Sequence, residues 1–502
     1  MAHLSPRLSP LALAVLLTLP AHAAEIDPGL MAKAASGSVP VLLVMPDQTT
    51  PRIAPLHPKA DVIERRRALV EALQARAEQD QAPLRAWLDE RGIAHRDYWI
   101  ANVVSTRLTT AQMQELGGRQ DLARIAFDTP LRQSLPKSSA RVSQAKGALA
   151  LPWGLQKIQA PLAWAAGVQG QGVVVAGADT GYKWNHPALQ DRYRGWNGSS
   201  ATHAYNWHDA VHEEGSSCGA DSPAPCDDDD HGTHTMGTMV GTIPASDVIG
   251  VAPQARWIGC RNMNAGWGTP ARYIECMQFF LAPTDAAGNN PDPALAPDVI
   301  NNSWGCIPSE GCTTGEELRA AVSNVVAGGI LFVAAAGNDG SSCESIKDAP
   351  ATYADAFVVA ASNSNDELAG FSSRGPIPGA ETVTLDLAAP GVSVYSSVPY
   401  GYANMSGTSM ASPHTAGVAA LVMSANPDLR GHPEAVAAIL RASAQQEGIT
   451  DPWRTSCGSL NMNIWPNWQA GYGRLDAWKA VQMADPRIFF DEFEDEIVEN
   501  AG

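Results

Sequence analysis

The sequence predicts an α/β fold, a mostly parallel sheet covered by helices on both faces, preceded by a small α+β domain. Three observations predict it. After Ala148, apolar runs recur that do not alternate with polar residues: GVVVAGAD, RWIGCRNM, DVINNSW, ILFVAAAGN and AFVVAAS. Several are apolar throughout, as expected of strands buried on both faces in a parallel sheet. Each run is followed by a loop or a helical pattern, the alternation that βαβ crossovers produce. The charge changes at the same place. Residues 1–150 hold 18 Lys/Arg and 14 Asp/Glu, whereas residues 151–502 hold 16 and 38, which marks two units that attract each other.

Composition sets the outer bounds. With 45% hydrophobic residues in 502, the chain can bury a core of ordinary size, which excludes a disordered protein. A net charge of −18 argues against nucleic acid as a partner. No apolar run reaches the ~20 residues that cross a bilayer, so no membrane partner is expected. The first residues carry Arg7, an apolar stretch from Leu11 to Leu19, and Ala21-His22-Ala23. That is the pattern of a secretory signal peptide, residues 1–23, and places the protein outside the cell or in a periplasm. Export suits the eight cysteines, all between Cys218 and Cys457. Sequence proximity favours Cys218–Cys226 and Cys306–Cys312, and leaves the other four open.

The first domain, residues 24–147, opens with a strand at PVLLVM from about Val39. A charged helix follows (DVIERRRALVEALQARAEQ, with Leu69 and Leu73 one turn apart), interrupted at Pro83; a second helical piece runs through Trp87 and Leu88 to Gly92. A strand (YWIANVVSTRL), a short helix opened by Thr109 or Thr110, and a strand (LARIAF) complete an α+β unit ending near Asp128. Residues 129–147 are polar, basic and without apolar periodicity, and read as an exposed linker open to proteolysis. The second domain spans 148–485, and an acidic tail, 486–502, lies beyond it.

Three segments carry chemistry. Asp179 stands at the carboxyl end of a buried strand in GADTGYKWNHP. His231 opens a glycine-interrupted helix in DDDDHGTHTMGTMVG, with His234 three residues on. Ser409 sits at a glycine-rich strand-to-helix turn in NMSGTSMASPHTAGVAALV. Singly these are a loop cap, a helix residue and an N-cap. Together they supply what acyl transfer needs: a serine hydroxyl, an imidazole to take its proton, and a carboxylate to fix the imidazole tautomer. The N-terminus of the Ser409 helix adds a backbone N–H for a developing oxyanion, and Asn338 in VAAAGNDG is the candidate second donor.

With these residues in view, the chain resembles the subtilisin-like serine proteases, or subtilases. The resemblance covers about residues 148–485: VAGADTG, HGTHTMGT, GVAP at 250–253, AAAGN and GTSMASPH, in the order Asp, His, Ser. WNHPAL at 184–189, PDVINNSWG at 297–305 and FLAP at 280–283 are most similar to the bacillopeptidase F branch. NVVSTRLT at 102–109 and the element pattern of 24–147 resemble the family's inhibitory propeptide.

The resemblance implies a secreted, self-processing serine endopeptidase acting on polypeptides, expected as a monomer and inhibited by its own propeptide. Asp179, His231 and Ser409 would be catalytic, and Asn338 would form the oxyanion hole. Ser303-Trp304-Gly305 would pair with substrate beside the primary pocket, and Asp348, counted back from Pro350, would lie near the pocket floor. The processing cut is expected between Gln144 and Leu151. His234 would be structural; no role is assigned to His186 or His414.

Two other readings stand beside this one: a metal-dependent hydrolase built on Asp227–Asp230, His231 and His234, and a secreted pseudoprotease that binds partners through its cleft. Catalysis needs no cofactor on the serine reading. Calcium is allowed as a structural ion, but the family's loop before GVAP is here TIPASDVI, with Asp247 its one obvious carboxylate. The run Asp227–Asp230 reads as a solvated acidic loop in preference to a calcium site.

Overall fold

The computed structural model describes residues 23–51, 61–139, 151–243, 247–312, 316–377 and 385–485. Residues 1–22, which hold nearly all of the expected signal peptide, the expected cut at 144–150, residues 244–246 of TIPASDVI and the tail 486–502 lie outside them.

Seven strands form one parallel sheet in the spatial order Leu385–Pro390, Phe357–Ser362, Leu331–Ala335, Val299–Asn302, Val174–Asp179, Arg256–Arg261, Trp207–Asp209. The five apolar runs are the five middle strands. Successive side chains point to opposite faces, and neighbours along each strand accordingly enter different cores. Ala176, Ile258, Ile300, Phe332 and Val358 pack with the helices Pro270–Leu281 and Arg319–Ala327. Val175, Trp257, Val299, Val333 and Val359 pack with His231–Val240, Thr408–Ala425, Pro433–Ser443 and Ala477–Ala484. Strand order reverses beside Val174–Asp179, where open α/β sheets place their sites at the carboxyl ends of the strands.

The N-terminal domain is a five-stranded sheet, Glu25–Ile26, Arg124–Phe127, Val39–Val44, Val103–Leu108, His95–Tyr98, with two main helices. Thr109 caps the second helix, Thr110–Leu116, through a capping box with Gln112. Two expectations need correction. Pro83 does not interrupt the long helix, which runs unbroken over Val62–Glu90. Its first half gives Leu69, Val70 and Leu73 to the core shared with the large sheet, and its second half gives Leu84, Trp87 and Leu88 to the domain's own core. Burial at both ends outweighs the ~3 kcal/mol an interior proline costs. The YWIANVVSTRL strand is two strands, because Asn102 takes φ 47° and turns the chain between them. Asn102 Nδ2 donates to Asp80 Oδ2 (2.8 Å), and its Oδ1 accepts from Gln81 Nε2 (3.2 Å).

The two domains meet through polar contacts as well as apolar ones. Tyr98 donates to Glu275 (2.9 Å), Asn324 Nδ2 to Ile100 O (2.7 Å), and Ala271 N to Asp128 Oδ1 (2.9 Å). Arg124 bridges Asp27 (2.5 Å) in its own domain and Glu317 (2.9 Å) in the other, both carboxylates fully buried.

Residues 129–139 are not an exposed linker. Leu131–Arg132 adds an antiparallel strand to Trp267–Gly268, Gln133 N donates to Gly266 O (2.8 Å), Leu135 is buried, and Ser139 N donates to Asn404 O (2.9 Å). The polar composition that suggested a linker belongs to a segment held by main-chain bonds.

All eight cysteines are paired: Cys218–Cys226 and Cys306–Cys312 as expected, and Cys260–Cys276 and Cys343–Cys457, which sequence proximity left open. Replacing Arg124 with Ala removes the cation shared by two buried carboxylates. The expected loss is about 3 kcal/mol of stability in urea denaturation of the unprocessed chain; a loss below about 0.5 kcal/mol would show that the bridge does not couple the domains.

Candidate active site

Asp179 ends its strand, and the chain turns at once through Gly181, at φ 101°, where a Cβ would lie 1.8 Å from Cys226 O. Only glycine fits there. His231 begins its helix directly after Asp230, a non-glycine residue at φ 72°. This entry brings His231 Nδ1 to 2.7 Å from Asp179 Oδ1, with both side chains shut off from water. Asp179 Oδ1 also accepts from Thr180 N (2.8 Å), and its Oδ2 from Thr235 Oγ1 (3.3 Å). The carboxylate therefore has donors on both oxygens, and the imidazole proton on Nδ1 has a fixed partner.

Ser409 is the second residue of the helix Thr408–Ala425, where first-turn N–H groups have no intrahelical acceptor. Its Oγ donates to Ser303 O (3.2 Å), while Ser303 Oγ donates back to Ser409 O (2.9 Å). His231 Nε2 is buried and accepts no hydrogen bond among the described residues. Serine and imidazole are thus not hydrogen-bonded to each other in this state. Asn338, just past the strand Leu331–Ala335, accepts from Thr408 N (2.9 Å) and Thr408 Oγ1 (3.1 Å) through Oδ1. That fixes the amide and leaves its NH2 as the donor end. Ser409, Asn338, Ser303, Trp304, Gly305 and Asp348 line one cavity of about 280 Å³, together with Leu131–Leu135 of the N-terminal domain. Every sequence-derived site residue except Asp179 and His231 borders this cavity; those two form a buried pair, and the helix that His231 begins packs against the helix that carries Ser409.

The acidic run is corrected. Asp227 is not a solvated residue: Oδ1 accepts from Thr180 Oγ1 (2.8 Å) and Asp229 N (3.1 Å), and Oδ2 from Thr233 N (2.9 Å) and Thr233 Oγ1. Burial pushes its carboxyl up to about 7. Asp228 pairs with the buried Arg261 (3.0 Å). Asp229 faces Arg132 at 3.9 Å. These carboxylates organise the loop that delivers His231. His234 points elsewhere, its Nε2 against Val394 O (3.0 Å) and Ala403 O (3.2 Å), and burial pushes it down to about 3. Among the described residues no group of three or more His, Cys, Asp or Glu is placed to hold a metal ion. Sequence reasoning missed Thr180, Thr235 and Thr408, whose only signal was their place one to four residues from a named site residue.

Sheet order, the buried Asp–His pair and a helix-borne serine beside a donor amide define a subtilisin-like α/β protein. The sequence profile of the Subtilase family matches residues 170–463, and the chain belongs to that family. It is similar to bacillopeptidase F of Bacillus subtilis (strain 168), 35% identical over 439 residues, which is 83% of this chain and 29% of that protein. It is also similar to M-protease of Shouchella clausii (strain KSM-K16), 36% identical over 282 residues (56% of this chain, 61% of that one), and to Subtilisin BL of Lederbergia lenta, 36% over 282 residues (56% and 87%). The chain spans 29% of the length of the first and 61% of the second.

Burial works to lower the pKa of His231, but the charge and hydrogen bond of Asp179, helped by Asp229 and Asp227, hold it above histidine's ordinary value. The neutral imidazole therefore predominates only above that raised pKa. NMR titration of His231 is expected to give a midpoint above ~6.5, and Asp229→Asn should move it down, since a negative neighbour is lost. An upward or absent shift would contradict this electrostatic account.

Proposed function

We propose that the chain is a secreted serine endopeptidase made as a self-processing zymogen. The observation that carries it is the buried Asp179–His231 pair, 2.7 Å apart, with His231 on a helix packed against the one whose first turn brings Ser409 to a cavity shared with Asn338. In this reading Ser409 Oγ leaves Ser303 O, gives its proton to His231 Nε2 and attacks the scissile carbonyl carbon. Asp179 holds the Nδ1 proton and stabilises the imidazolium. The tetrahedral oxyanion takes hydrogen bonds from Ser409 N–H and the Asn338 amide. His231 then protonates the departing amine, and water hydrolyses the acyl-enzyme by the same route in reverse. Substrate backbone adds to Trp267–Gly268 as Leu131–Arg132 does, with Ser303–Gly305 lining the opposite side of the cavity. No cofactor takes part, and calcium is left as a structural ion without an assigned site.

Residues 24–147 act as propeptide: they dock on the acidic catalytic domain and fill its cleft with their own C-terminal segment. The mature chain starts within 144–151, after that segment has left the cleft. The leader directs export, which the four disulfides favour. No helix among the described residues is long and apolar enough to cross a membrane.

Ser409→Ala is expected to abolish casein hydrolysis and release of the N-terminal domain together. Continued processing in that variant would overturn the reading. Asn338→Ala should lower kcat by roughly 10²–10³-fold with KM little changed.

A further inference from the structure

The cavity beside Ser409 has one wall of small residues, Ala335, Ala336 and Gly337, and another of Ser303, Trp304 and Gly305. Asp348 closes part of it. Cys306 N donates to Ala349 O (2.6 Å), which ties the two segments and sets Asp348 against Gly305. A Cβ on residue 305 would stand 3.3 Å from Asp348 Cβ and 4.0 Å from its Oδ2, so glycine there keeps the approach to the carboxylate open. Asp348 Oδ1 is buried and has no hydrogen-bond partner among the described residues. The nearest ammonium in sequence, Lys347, is 3.2 Å from Asp339 and largely exposed. Leu131–Leu135 of the N-terminal domain border this cavity, and Arg132 is the one cation among them. Its guanidinium faces Asp229, at 3.9 Å, and makes no ion pair with Asp348 among the described residues.

We propose that Asp348 makes this cavity a receptor for a cationic side chain, so that the enzyme cuts polypeptides after Lys or Arg. The proposal rests on the protease reading above and names its substrate class. A carboxylate in a half-dry pocket is poorly solvated; burial, with Asp339 beside it, pushes Asp348 up to about 6. An entering ammonium or guanidinium supplies the missing partner and favours the ionised form. A phenylalanine or leucine side chain would strip water from the carboxylate and return nothing. The zymogen's own segment, Leu131–Leu135, makes no hydrogen bond to this acceptor, which suits an inhibitor better than a substrate.

The test is kcat/KM for peptides identical except for Arg, Lys, Phe or Leu on the acyl side of the cut bond, with the processed wild type, Asp348→Asn and Asp348→Glu. Rates are referred to Ser409 titrated by an acylating reagent, so misfolded enzyme does not count. Arg and Lys are expected to exceed Phe by roughly tenfold or more in the wild type. Asp348→Asn should lose roughly tenfold or more on Arg and Lys with Phe changed less than about threefold, and Asp348→Glu should restore part of the loss. A wild-type preference for Phe, or an unchanged Arg-to-Phe ratio in Asp348→Asn, would overturn the proposal while leaving the protease reading intact. Failure to cleave any peptide would defeat the protease reading itself.

Discussion

The contact on which the site depends joins a strand end to a helix start: Asp179 Oδ1 and His231 Nδ1, 2.7 Å apart and closed to water. A buried carboxylate is costly unless its oxygens meet donors, and here Thr180 N, Thr235 Oγ1 and the imidazole supply them. Much of the surrounding architecture serves that requirement. Gly181 lets the strand turn against Cys226 O, and Gly232 N is tied to Thr180 Oγ1 at 3.0 Å. Asp227, itself held by Thr180 and Thr233, locks the loop to the helix that carries His231. The result is an imidazole with one nitrogen fixed and the other, Nε2, buried and uncommitted.

The N-terminal domain uses the same cleft from the other side. Its Leu131–Arg132 strand pairs with Trp267–Gly268 in the way an extended peptide adds to an exposed edge. Beyond the cavity, Ser138 Oγ reaches Asp230 (3.3 Å) and Ser139 bonds Asn404 in both directions. Between these anchors Pro136 lies so near the start of the Ser409 helix that a Cβ on Gly407 would stand 2.6 Å from its Cγ. Charge complementarity is local as well as global: Arg132 faces Asp229 and Arg124 faces Glu317. Edge pairing and charge pairs of this kind hold the segment in place, while the exposed charge pairs stay sensitive to salt.

The five apolar runs were legible because a strand buried on both faces needs no polar alternation, and both cores do use alternate residues of each run. The places of Asp179, His231, Ser409 and Asn338 at strand ends and helix starts were legible because a parallel sheet gathers such positions at one edge, and the structure pairs the first two and brings the other two to one cavity. What failed did so for tertiary reasons. Pro83 reads locally as a break, yet the helix is held at both ends by two different cores. The Asp227–Asp230 run reads as solvent-facing because its donors, Thr180, Thr233 and Arg261, lie far away or look ordinary in the sequence. Segment 129–139 reads as linker because edge pairing uses the main chain and leaves little mark on side-chain pattern. Cys343–Cys457 spans 114 residues, a pairing that only the fold can bring together.

The most direct test of the central claim is the reactivity of Ser409 itself. After removal of the N-terminal domain, the chain should be treated with a fluorophosphonate and its peptides read by mass spectrometry. The account predicts one adduct, on Ser409, with the labelling rate falling as His231 becomes protonated. No adduct, an adduct on another serine, or a rate indifferent to that protonation would contradict it.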